Sequence, residues 1–130
     1  MTEHRKDEVL IVTSYPPVEC GIATYSEDLL GFLVKRFSDS FSVRICAIEK
    51  KNTDENEQHT VVKYVLNRDS RRDYTRLSAL VNNDESIKLV MIQHEFGLFG
   101  GVYGKYLNLF LRGLKKPFMI TFHTLSLIDI

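Results

Sequence analysis

Short hydrophobic runs alternate with amphipathic stretches along the chain. Five of the runs have the length and spacing of β-strands, at residues 9–12, 41–48, 61–66, 87–92 and 117–122. Between them, hydrophobic residues recur at steps of three and four, as on one face of a helix. The three helical stripes are Ile22, Tyr25, Leu29, Leu33 and Phe37; Tyr74, Leu77, Leu80 and Val81; and Tyr103, Tyr106, Leu107, Phe110, Leu111 and Leu114. The predicted order is β-α-β-β-α-β-α-β.

This alternation predicts an α/β fold with a parallel sheet covered by helices on both faces. We expect a Rossmann-like, doubly wound sheet of strand order 3-2-1-4-5, with the most apolar strands 1, 4 and 5 in central positions. The hydrophilic link at residues 49–59 shows no helical pattern, so it is either an irregular crossover or a loop. Ligands of such folds bind beyond the carboxyl ends of the strands, here where the order reverses between strands 1 and 4.

Composition excludes several classes of protein. The 130 residues suffice for a single domain, and Lys plus Arg equals Asp plus Glu at 17 each. This balance gives no electrostatic argument for nucleic acid as a partner. The longest apolar runs have four residues, too short for a membrane span, and the amino terminus lacks the apolar core of a signal peptide. Cys20 and Cys46 do not form a disulfide framework, which predicts a reducing, cytoplasmic location.

The stretch "ECGIATYSEDLL" at residues 19–30 joins strand 1 to the first helix. No charged residue occurs between Cys20 and Ser26, so the backbone N–H groups of Gly21 and Ile22 are available for a phosphate or a sugar hydroxyl. A plain strand-to-helix turn is the alternative. The single glycine between Thr13 and Tyr25 is not a dinucleotide fingerprint, and no Walker lysine follows. Cys20 as a nucleophile, with a histidine base, is a further alternative.

Two histidines follow neighbouring strands. "QHEFGLFGGVYG" at 93–104 places His94 and Glu95 at the end of strand 4, before a glycine-rich loop that either wraps a ligand or shapes a tight turn. "TFHT" at 121–124 places His123 at the end of strand 5, beside His94. An imidazole can donate and accept hydrogen bonds, although both histidines could instead be structural. Metal binding is disfavoured because no third ligand stands at a recognisable spacing.

Together, "TSYPPVECGIATYSEDLL" and "QHEFGLFGGVYGKYLNLFLRGLKKPFMITFHT" resemble the amino-terminal domain of retaining glycosyltransferases of family 4, which have the GT-B fold. In that family a proline-rich first loop leads to a small-residue turn and a helix. The patterns Q-H-E-F/Y-G-x-F-G-G and P-x-x-x-T-x-H-T recur in one subgroup of it. The similarity covers nearly the whole chain in order and spacing, apart from residues 49–85.

The resemblance implies which residues form the site. GT-B enzymes have two Rossmann-like domains across a cleft; the first mostly binds the acceptor and the second the sugar nucleotide, which is a co-substrate, and a metal is usually not needed. His123 corresponds to the catalytic histidine that faces the donor sugar. The implied substrate-binding residues are Cys20, in place of the first glycine of many members, with Gly21, Ile22, His94, Glu95, Gly100 and Gly101.

The resemblance also implies a function. Residues 1–130 would be the acceptor-side part of a mannosyl- or glucosyltransferase, inactive without the donor-binding domain. The full enzyme would use a glycan or lipid-linked acceptor and could be peripherally associated with a membrane. Strand 5 would then be an uncovered edge, which predicts dimerisation. A stand-alone flavodoxin-like ligand-binding or regulatory module stays open, whereas an NAD(P)-linked oxidoreductase is disfavoured by the missing glycine fingerprint.

Overall fold

The computed structural model of the protein describes residues 6–15, 21–49, 61–95 and 97–123, without the side chain of Ile22. Five strands form the sheet: β1 (Glu8–Thr13), β2 (Ser42–Glu49), β3 (Val62–Asn67), β4 (Ile87–His94) and β5 (Phe118–Phe122). The helices are α1 (Gly21–Phe37), α2 (Arg71–Asn83) and α3 (Leu107–Gly113), with a 3₁₀ turn at Val102–Gly104. No helix in these ranges is long and apolar enough to cross a bilayer.

All five strands run parallel, in the order β3-β2-β1-β4-β5. The predicted fold class and strand order are therefore confirmed. We predicted central positions for strands 1, 4 and 5. β1 and β4 are central, whereas the apolar β5 lies at the edge of the described sheet. The hydrophilic link between β2 and β3 lies almost wholly outside the described residues. Strand order reverses between β1 and β4, as expected.

The sheet is packed on both faces because side chains alternate along each strand. On one face Ile11, Ile45 and Ala47 pack with Leu29, Leu30 and Leu33 of α1. On the other, Leu10, Val12 and Ile92 pack with Leu77 of α2 and Phe110 of α3. We call these the α1 face and the α2/α3 face. A polar side chain at the end of a strand points towards one of them according to its position in the alternation.

The third helix is shorter than the hydrophobic stripe predicts. The stripe begins at Tyr103, but α3 begins at Leu107. Gly101, Tyr103 and Gly104 all have positive φ, between 56° and 82°. These left-handed conformations favour glycine and interrupt the helical hydrogen-bond pattern. The prediction of a continuous helix from Tyr103 is therefore wrong: the helix begins about one turn later, and the preceding residues form a compact loop.

Charged side chains cluster at the edge of the sheet where the strands begin. Lys63 Nζ lies 2.5 Å from both Glu8 Oε1 and Asp84 Oδ2, and the Tyr64 hydroxyl donates to Asp84 at 2.9 Å. Burial alone would raise the pKa of Asp84, but the hydrogen bonds from Lys63 and Tyr64 hold this pKa below its ordinary value. The carboxylates at this edge are thus satisfied by neighbouring strands, which indicates a structural role.

The outer edge of β5 predicts self-association. Among the described residues β5 pairs with β4 alone, and Met119 and Phe122 are 55% and 66% exposed. We expect two copies to associate along this edge, because an open apolar strand offers unpaired backbone groups to another chain. Sedimentation velocity should show a concentration-dependent dimer. Met119→Lys should abolish it, whereas Val65→Lys, at the opposite edge strand β3, should not; a monomer at every concentration would contradict the prediction.

Candidate functional site at the carboxyl ends of β1, β4 and β5

Two strand ends bring His94 and His123 side by side along the backbone. His94 is paired with Phe122 in the β4–β5 register, and the His123 backbone N–H donates to the His94 carbonyl at 2.8 Å. The two residues are therefore neighbours at one rim, as the sequence predicts. Their side chains, however, point to different sides of the sheet.

The rings of the two histidines lie on opposite faces. The His94 ring centroid is 5.7 Å from that of Phe99, a core residue of the α2/α3 face, and 5.1 Å from that of Phe122. The His123 ring centroid is 4.6 Å from that of Tyr25, on α1, in an edge-to-face contact. The rim therefore has two halves, one on each face of the sheet. His123 belongs to the half on the α1 face.

Gln93 is the central polar residue of the α1 half. It is 0% exposed, and its Oε1 accepts a hydrogen bond from His123 Nε2–H. Its other amide atom, Nε2, is buried and finds no hydrogen-bond partner among the described residues. The sequence analysis did not single out Gln93. The signal was present: an uncharged polar residue closes the apolar run of β4.

Thr13, on the strand next to Gln93, forms a hydroxyl pair with Ser26 of α1. Val12 of β1 is opposite Ile92 of β4, so Thr13 and Gln93 follow as the next residues on adjacent strands. Thr13 Oγ1 donates to the Ser14 carbonyl at 3.0 Å, and Ser26 Oγ of α1 is 2.5 Å from Thr13 Oγ1. Ser26 therefore donates to Thr13. The pair fastens α1 to the end of β1.

The first turns of α1 lie beside His123. Gly21 begins the helix, is exposed, and has no other described atom within 4 Å of the position a Cβ would occupy. The first turn contains no acidic residue. Tyr25, one turn later, contacts His123, so the amino end of α1 and the imidazole share the α1 face. Cys20 and the side chain of Ile22 lie outside the described residues.

The side chains of this half-site are chiefly neutral hydrogen-bonding groups: Thr13, Tyr25, Ser26, Gln93 and the imidazole of His123. Tyr15 follows β1 on the same face, and burial, followed by the nearby Glu27 carboxylate, raises the pKa of its phenol. Such a set can donate and accept hydrogen bonds without carrying a fixed charge. It matches a neutral polar ligand better than a phosphate, which is usually bound by Arg or Lys.

The glycine loop packs against the turn between β3 and α2. Gly100 is buried, its N–H donates to the Tyr74 hydroxyl at 3.0 Å, and that hydroxyl donates to the Arg68 carbonyl at 2.9 Å. A Cβ on Gly100 would overlap the Arg68 carbonyl oxygen, and one on Gly101 would lie 2.8 Å from Tyr106 Cδ1. Close packing therefore accounts for both glycines.

His94 and Glu95 belong to the other half of the rim. The Glu95 carbonyl accepts a hydrogen bond from Leu98 N–H at 3.0 Å, which starts the glycine loop. Burial lowers the pKa of His94, so its imidazole is neutral at neutral pH. His94 packs between two aromatic rings and helps to hold the loop against the sheet.

Other reactive groups are placed elsewhere. Cys46 is fully buried in the core of the α2/α3 face, and burial raises the pKa of its thiol. Within the described ranges, no group of three or more metal-ligating side chains occurs. The candidate chemistry of this part of the chain is thus concentrated at the carboxyl rim.

Comparison of the chain with protein-family models, curated proteins and solved structures gave no match. The functional interpretation therefore rests on the geometry of the rim and on the motif resemblance in residues 13–30 and 93–124.

Packing at Gly100 predicts a large loss of stability on substitution. Gly100→Ala should lower the free energy of unfolding by about 2–3 kcal/mol, because the methyl group forces the loop away from Arg68. Gly31→Ala is the matched control: Gly31 is an exposed interior position of α1 with open space around it, so alanine should stabilise the protein by about 0.5–1 kcal/mol. Urea unfolding followed by circular dichroism measures both. Equal effects would refute the packing argument.

Burial of His94 predicts a pH dependence of stability. Its pKa is lowered in the folded state, so the unfolded state binds more protons as the pH falls below about 6.5, the ordinary value. Stability should therefore decrease from pH 7.5 to pH 5. His94→Gln should reduce this decrease, measured by urea unfolding at both pH values. If the variant and the wild type lost the same stability over this interval, His94 would not be the group responsible.

Proposed function

We propose that this domain is the acceptor-binding part of a sugar-nucleotide-dependent retaining glycosyltransferase of the GT-B type. The observation that supports it best is the position of His123. Its imidazole is hydrogen-bonded to the buried Gln93 and packed on Tyr25, beside the reversal of strand order. Doubly wound sheets bind ligands beyond the carboxyl ends of the strands at that reversal, between β1 and β4, and His123 lies one strand away at the end of β5. The motif resemblance implies that this histidine is the catalytic one.

The chemistry of the α1 half suits a carbohydrate. Sugar hydroxyls donate and accept hydrogen bonds, and so do an imidazole and an amide. Tyr25 adds an exposed aromatic ring directly beside His123. The amino end of α1 adds a partial positive charge, which favours a hydroxyl oxygen or an anionic group. A mannosyl or glucosyl acceptor or donor sugar fits these groups, and the resemblance favours those two hexoses.

Each predicted residue receives a role in the proposal. His123 would face the reacting sugar, and the backbone of Cys20, Gly21 and Ile22 would meet the donor diphosphate or the acceptor. In the loop half of the rim, Glu95 would line the acceptor side, whereas His94, Gly100 and Gly101 would act by packing that holds the loop in place. Transfer would require a second, donor-binding domain facing this rim, so we expect no turnover of nucleotide sugars by residues 1–130 alone. A cytoplasmic enzyme with a lipid-linked acceptor would work at a membrane surface.

Ligand titration tests the proposal. Isotope-labelled protein is titrated with methyl α-D-mannopyranoside and methyl α-D-glucopyranoside, and binding is followed by chemical-shift changes. We expect the changes to centre on Gly21, Tyr25 and His123. Tyr25→Ala should weaken binding about 2- to 10-fold through loss of the aromatic contact. Phe32→Ala, an exposed aromatic two turns further along α1, is the control and should bind normally.

Other ligands in the same assay separate the alternatives. GDP-mannose and UDP-glucose should affect the same rim only through their sugar and diphosphate. Binding of FMN or NAD, with no response to any glycoside, would contradict the transferase proposal. It would instead favour the stand-alone flavodoxin-like module.

A further inference from the structure

We propose that Gln93 is a positioning residue for His123. It holds the imidazole in the Nε2–H form, so that Nδ1 is the atom that accepts a hydrogen bond from a ligand hydroxyl. The identity of that ligand rests on the function proposed above. The orientation of the imidazole rests on its contacts with Gln93 and Tyr25 and not on the identity of the ligand.

The contacts fix the ring from two directions. Gln93 Oε1, wholly buried at the end of β4, accepts the hydrogen bond from Nε2–H, and Tyr25 packs against the ring at 4.6 Å. Nδ1 makes no hydrogen bond with the described residues. A carbonyl oxygen can only accept, so it selects the tautomer in which Nε2 carries the proton. Nδ1 is then the nitrogen with a free lone pair.

The same arrangement holds when the ring is protonated. In the imidazolium both nitrogens carry protons, and Nε2–H still donates to Gln93 Oε1. This division of labour, in which one ring nitrogen is held and the other reacts, is common to histidines that act on substrate hydroxyls.

Gln93 is a poor choice for stability alone. Buried polar atoms are nearly always paired, yet its Nε2 has no partner in the described part of the chain. A methionine would fill the same volume in the apolar end of β4 without an unpaired donor. The contact with His123 therefore explains an amide at this position better than packing does.

The tautomer of His123 is the direct test. Long-range ¹H–¹⁵N spectra of the ligand-free chain, recorded at a pH where His123 is neutral, show which ring nitrogen carries the proton. We expect the Nε2–H form in the wild type, with an Hε2 signal protected from exchange with water. Gln93→Met should lose that protection and populate both tautomers, whereas Gln93→Glu, which keeps an acceptor oxygen, should retain the Nε2–H form. An Nδ1–H form in the wild type, or an unchanged spectrum in Gln93→Met, would overturn the inference.

Stability and binding provide the second readout. Gln93→Met should unfold at the same or a higher urea concentration than the wild type, while it binds the methyl glycoside about 3- to 10-fold more weakly. In a His123→Ala background, Gln93→Met should cause no further weakening, because the amide acts through the imidazole. Additive losses would mean that Gln93 contacts the ligand itself, and a clear fall in stability would make it structural; either result overturns the inference.

The two proposals can fail separately. If no glycoside binds the wild type, the transferase proposal fails, and the tautomer spectra still decide the role of Gln93. If the glycoside binds and the Nε2–H form is absent, the function stands and the positioning role falls.

Discussion

Side chains alternate between the two faces of the parallel sheet, and this alternation decides which residues at the carboxyl rim can contact one another. Every strand ends at the same edge, so polar residues distant in sequence are brought together there. Alternation then divides them between the two faces. Gln93 and His94 are consecutive, yet the first contacts His123 on the α1 face and the second contacts Phe99 on the α2/α3 face. His94 and His123 are therefore neighbours along the backbone, but their side chains lie on opposite faces of the sheet.

The two halves of the rim differ in the way they are built. On the α2/α3 face, the loop after β4 is filled by aromatic rings and by glycines that admit the backbone of Arg68. There the Gly100 N–H donates to the Tyr74 hydroxyl, which donates to the Arg68 carbonyl, while the buried Arg68 Nε has no hydrogen-bond partner among the described residues. On the α1 face, the buried Nε2 of Gln93 has no hydrogen-bond partner among the described residues, and a Cβ on Gly21 would have open space around it in the same part of the chain. The ligand site that we propose in the α1 half is built on these two groups.

The sequence predicted the fold well because periodicity is a local property. Spacings of two and of three or four residues identify strands and helices, and the strand-helix alternation leads to a parallel sheet with order 3-2-1-4-5. The third helix was placed one turn too early because Tyr103 continues the hydrophobic spacing while its backbone is left-handed. A hydrophobic pattern reports which side chains face the core; it does not report φ.

The candidate site was predictable only in part, for a related reason. The positions of His94 and His123 at neighbouring strand ends follow from the topology. Their separation onto opposite faces depends on the β4–β5 register, which the sequence alone does not specify. Gln93 opens the Q-H-E pattern, but as an uncharged residue it was not picked out as a site residue, and its importance comes from being 0% exposed and bonded across strands.

The placement of charge agrees with this division between structure and ligand. At the amino edge of the sheet, Lys63 bridges the carboxylates of Glu8 and Asp84, and Arg44 also pairs with Glu8, so these charges join neighbouring strands. At the carboxyl rim, the α1 half relies on amide, hydroxyl and imidazole groups. Neutral groups keep their hydrogen-bonding directions without attracting a counterion, so they discriminate ligands by the geometry of donors and acceptors. A hydroxyl-rich ligand, as we propose, is the kind that such a surface can distinguish.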